Sequence, residues 1–220
     1  MKKDRLFDYL ETQKKAQLIE LLESAFDAMD TEQRHDVFDE IISDVLPVTV
    51  DGEQLLADIE VFFKSSVNGR YYKPFNMNSK NFSNVPKKTN EWFEKLGDYL
   101  EESSVLTEQG THDVAVQCFT LLYDVIDKME DGEDIVFADE LGGWMIPGDE
   151  KIFIKSYLTS LSSISTPEEY TEKAISLIER DAIDSFCNKV YSAATKLANE
   201  SQKTSLKKEV KKQGVRTRRR

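Results

Sequence analysis

From Val114 to Met129 apolar side chains fall on nearly every side of a helix: Val114, Ala115, Cys118, Phe119, Leu121, Leu122, Val125, Ile126 and Met129. A helix that is apolar all round has no face to give to water, so other elements must enclose it. The segment therefore predicts a fold with one central helix and partners on several sides.

The partners are written along the chain as one-sided stripes. Leu18, Leu22, Ala25, Phe26 and Met29 share a face, as do Phe38, Ile41, Ile42 and Val45 after a start at Asp30-Thr31 and before Pro47. Asp51 with Gln54 opens a helix carrying Leu55, Leu56, Ile59, Phe62 and Phe63, so the first 68 residues read as three helices. Trp92, Phe93, Leu96, Tyr99 and Leu100 make another stripe, starting at Thr89 or Asn90. Ile152, Phe153, Tyr157, Leu158 and Leu161 make one more. Thr166-Pro167-Glu168-Glu169 combines a cap, a proline at the first helical position and a capping glutamate. Helix then runs to about residue 200.

Only 9 Gly and 5 Pro punctuate 220 residues, too few for a fold of many short strands. Ile135-Val136-Phe137 and Trp144-Met145-Ile146, parted by Gly142-Gly143, read as a small hairpin or an ordered loop. The predicted class is all-α: an antiparallel helical-hairpin bundle or short α-solenoid of eight or nine helices, with that hairpin near 135–146. The layout is similar to helical-hairpin repeat proteins of the HEAT or tetratricopeptide type, in layout and not in motif. One short echo, Thr31 to Val37 against Thr107 to Val114, sets no repeat period. Residues 1–200 read as one helical domain with a sub-boundary in a 69–90 loop, and 201–220 as a basic, largely disordered tail.

Charge is distributed unevenly. The net charge is −12, yet residues 201–220 hold nine Lys/Arg and one acid, Glu209, leaving −20 on the first 200. Residues 69–90 carry Arg70, Lys73, Lys80, Lys87 and Lys88 with no acid, among Tyr71, Tyr72, Phe75 and Phe82. Cations between aromatic rings suit single-stranded nucleic acid. The favoured reading of this loop is that the rings tuck back onto the helices while the lysines face solvent or the acidic body, which would repel a polyanion. Two cysteines, Cys118 and Cys187, fit a reducing, cytoplasmic setting, and neither a secretory signal nor a membrane span is expected.

Two histidines stand in His-Asp-Val contexts, His35 and His112. His35, then His112-Asp113, then an aspartate such as Asp181 or Asp184 resembles the HD-type metal-dependent phosphohydrolases. That resemblance implies a divalent metal activating water. Both doublets also sit at helix starts, where Asp complements the helix dipole. The acidic turns Asp131/Glu133/Asp134 and Asp139/Glu140 lack the ligand alternation of a calcium loop and read as solvated.

The leading expectation is a non-enzymatic protein-interaction scaffold without cofactor or metal. Its contact residues are expected at Arg70, Tyr71, Tyr72 and Lys73, and at Asp139, Glu140 and Trp144 beside the Gly-Gly turn. Nucleic-acid association through the basic loop and tail is the alternative, and the metal phosphohydrolase the third reading.

Overall fold

Asp51 accepts hydrogen bonds from the backbone N–H groups of Glu53 and Gln54, starting the first helix of the main body where the sequence places it. The computed structural model describes residues 3–29, 33, 37–38, 49–76, 78–81, 84–137, 145–183, 189–215 and 217. Among them are nine α-helices and no strand: α1 (Lys3–Leu10), α2 (Lys15–Ala28), α3 (Gly52–Val67), α4 (Lys87–Glu108), α5 (His112–Glu130), α6 (Glu150–Ile164), α7 (Pro167–Ile183), α8 (Val190–Leu197) and α9 (Glu200–Gln213). The all-α reading holds. The 138–144 part of the expected hairpin lies outside the described residues. No helix among the described residues is long and apolar enough to cross a membrane.

The chain divides into two compact units, Met1–Pro47 and Val48–Arg220. In the larger unit α3 packs on α4 and α5, α4 on α5 and α6, α5 on α6, α6 on α7 and α8, and α7 on α8 and α9. Contact with both the next and the next-but-one helix is the connectivity of stacked helical hairpins. Helix α5 packs on α3, α4 and α6 and buries most of its surface, while Asp113, Gln117, Asp124 and Asp127 line one exposed edge that the all-round apolar reading did not mark. Ala115, Cys118, Phe119, Leu122 and Val125 are wholly buried, with Phe119 stacked on Tyr157 of α6 at 5.2 Å.

The basic segment after residue 200 differs from expectation. It is helical through Gln213 and docked, with Gln202 and Leu206 fully buried and Val210 nearly so. Two apolar residues suffice because the third buried position, Gln202, is fully hydrogen-bonded. Asn199 and Gln202 cap one another, and Gln202 also donates to the carbonyls of Ser162 and Ser165.

The smaller unit is built differently. Helix α1 was not marked by the sequence reading, and α2 begins as Lys14 N–H donates to the side chain of Gln17. Phe26 meets Phe38 edge-on at 5.5 Å. None of this unit's described side chains is buried.

Candidate functional site

The loop after α3 is set by Gly69, whose φ of +70° favours a residue without a β-carbon. The turn sends Tyr71 inward, where it is buried beside Phe62 at 5.7 Å. Tyr71 is therefore a core residue and leaves the expected contact set. Tyr72 and Phe75 lie half-buried, both against Phe137 at 6.1 and 5.2 Å. Rings engaged in this way are spoken for by the body, and only Arg70 and Lys73 of the expected quartet are exposed. At the end of the same segment Lys87 and Lys88 both pair with Glu91 within the first turns of α4. Asp139, Glu140, Trp144 and Phe82 lie outside the described residues.

His112 sits at the start of α5, with Nδ1 at 3.1 Å from Ser160 Oγ. Ser160 Oγ lies in turn 2.9 Å from Thr107 Oγ1. The chain of three polar groups ties α4, α5 and α6 together. Ser160 is wholly buried, which denies it the access a nucleophile needs, while Asp113 faces solvent. His35 and Asp184 lie outside the described residues, as does the side chain of Asp181. Among the described residues no group of three or more His, Cys, Asp or Glu could hold a metal ion.

A second polar tie joins α5 to α7. The Arg180 guanidinium donates to Asp127, reaches Glu130 at 3.0 Å and lies over the Tyr123 ring at 5.7 Å. Burial alone would lower its pKa, but Glu130 and Asp127 outweigh burial and hold it above the ordinary arginine value. The arrangement is a clamp between helices.

Two surfaces remain. Phe7, Tyr9, Ile19, Leu21, Leu22, Phe26 and Val37 are all exposed, so among the described residues seven of the eleven exposed large apolar side chains fall in the smaller unit. On α9, at 100° per residue, Lys208 and Lys211 stand opposite the buried row of Gln202, Leu206 and Val210, and Lys207 is exposed on its flank. Neither surface was legible from local motifs. The first needed knowledge of what covers the α2 stripe, and the second needed the docking of α9.

Comparison of the chain with protein-family models, curated proteins and solved structures finds no match.

Proposed function

We propose that the protein is a non-enzymatic helical interaction scaffold of the cytoplasm, with the smaller N-terminal unit as its protein-binding element. The observation that supports this is the exposed apolar set of α1 and α2. Leu22 at 54% and Ile19 at 44% exposure belong to an amphipathic helix whose stripe is written for burial. Among the described residues of the unit ending at Pro47 every side chain is at least partly exposed. A partner that presents an apolar helix face would supply the missing cover. The larger unit, with its well-buried α5 core and its cross-helix polar ties, serves as the rigid body.

The test is capture from cell extract by the full chain and by its Leu22→Asp variant, at low and high salt. A partner docked on the apolar stripe stays bound at high salt and is lost with the variant, whose circular dichroism is unchanged. A partner captured equally by both proteins would contradict the reading.

A further inference from the structure

We propose that the lysines on the outward face of α9 bind the phosphate backbone of nucleic acid without reading its bases. The inner face fixes the geometry. Leu206 and Val210 pack toward α7 and Gln202 is held by Ser162 and Ser165, so the helix cannot turn its lysines inward. The outward positions are Glu200, Ser201, Thr204, Lys207, Lys208, Lys211 and Lys212, and the one carboxylate among them, Glu200, stands at the helix start and is paired with Lys203.

The acids of α9 are already engaged on the same helix. Glu200 pairs with Lys203 at 2.8 Å, and Glu209 with Lys212 at 2.9 Å. Both carboxyls titrate below the ordinary glutamate range, chiefly through those lysine hydrogen bonds. Lys207, Lys208 and Lys211 are exposed. Gly214, at φ +69°, ends the helix, and Val215 donates its N–H to Val210 O at 3.1 Å and packs on the core. The C-terminal end of α9 is thus fixed against the body.

The chemistry of this face selects among anionic partners. A protein interface needs an apolar or aromatic anchor at its centre, and the outward positions supply none. Insertion at a lipid surface needs apolar residues on the exposed face, which are also missing there. Phosphate contacts need only cations, and without a ring to stack on bases the binding is independent of sequence. The acidic body does not forbid it. Glu168 and Glu172 of α7 line a groove with Ser205, Glu209 and Gln213, on the flank of α9 away from Lys207, Lys208 and Lys211, and acids more than about 8 Å from those lysines are largely screened at physiological salt.

The test is fluorescence anisotropy of the full chain with a mixed-sequence DNA duplex of about twenty base pairs, across a salt series. The triple variant Lys207→Gln, Lys208→Gln, Lys211→Gln is compared with the control Lys14→Gln, Lys15→Gln, Lys64→Gln. Gln keeps helix propensity, and circular dichroism verifies the fold. The expected result is affinity that falls steeply with salt. The triple variant binds at least about tenfold more weakly with a log–log slope shallower by about 3, while the control binds as wild type. Equal loss in the control, or an unchanged triple variant, overturns the proposal. So does binding to phosphatidylserine vesicles or polyglutamate without binding to the duplex.

Discussion

The side-chain amide of Gln202 donates to the carbonyl oxygen of Ser165 at 3.0 Å, and one buried group thereby closes the ends of two helices. Its nitrogen also reaches the Ser162 carbonyl of α6, while its oxygen accepts from Asn199 N–H at the start of α9. Helix-terminal carbonyls have no partner within their own helix, so a single amide here satisfies groups that water would otherwise have to reach.

Replacing Gln202 with Ala removes both functions. Two carbonyls are left without their donor in a half-buried place and the reciprocal cap is broken, at a cost of about 1–3 kcal/mol. Thermal melting monitored by circular dichroism checks this. A change within about 0.5 kcal/mol, the range of ordinary surface substitutions, would show that α9 is not held in this way.

The same residue marks where the sequence stops being readable. Periodicity identifies α5 as central because its apolarity is local and continuous, and Phe119, Leu122 and Val125 are wholly buried. Thr166 and Glu169 are legible for the same reason: both partners of the capping box lie three residues apart, and they bond reciprocally at 2.9 and 3.3 Å. The tie from Gln202 spans 37 residues to Ser165, that of Thr107 spans 53 to Ser160, and that of Trp92 spans 26 to Ser66. No local pattern encodes such pairs, so a helix with only Leu206 and Val210 on its inner face reads as solvated when it is docked. Tyr71 was misplaced by the converse reasoning. Its basic neighbours suggested a surface, and only the left-handed turn at Gly69 sends it into the core.

The smaller unit responds to mutation unlike the larger one. Leu22→Ala changes stability by under about 0.5 kcal/mol, since its side chain stays largely in water, whereas Leu122→Ala in α5 costs about 2–5 kcal/mol. Denaturant unfolding of the two variants side by side reads the difference. A comparable loss from Leu22→Ala would mean that its stripe is covered within the protein.

Glu102 gives a pH dependence with a definite sign. Partial desolvation, then the carboxylates of Asp98, Asp58 and Glu101, hold it above the ordinary glutamate range. Between the ordinary value and the raised one, the folded state keeps a proton that the unfolded state releases. Stability therefore falls as pH rises through that window and stays lower above it. Glu102→Gln melts about 1 °C higher at neutral pH, a small gain because the side chain remains exposed, and the gain disappears below the ordinary glutamate range. A gain that persists at acid pH would exclude the charge as its source.

Cys118 is wholly buried, and burial pushes its thiol up to about 11. In a Cys187→Ser variant it stays unmodified by a thiol reagent at mildly alkaline pH and reacts fully on unfolding. Rapid modification of the folded variant would show that α5 is open to solvent.

The central claim is that the exposed stripe of α2 is the protein-binding surface, and site-directed photo-crosslinking tests it most directly. Leu22 and Ile152 of α6 are matched in exposure, at 54% and 53%. A photo-crosslinking side chain is placed at each in turn in the full chain, and the products in cell extract are compared. The account predicts a discrete partner adduct from position 22 and none from position 152. Adducts of equal yield from both positions, or from neither, would contradict it.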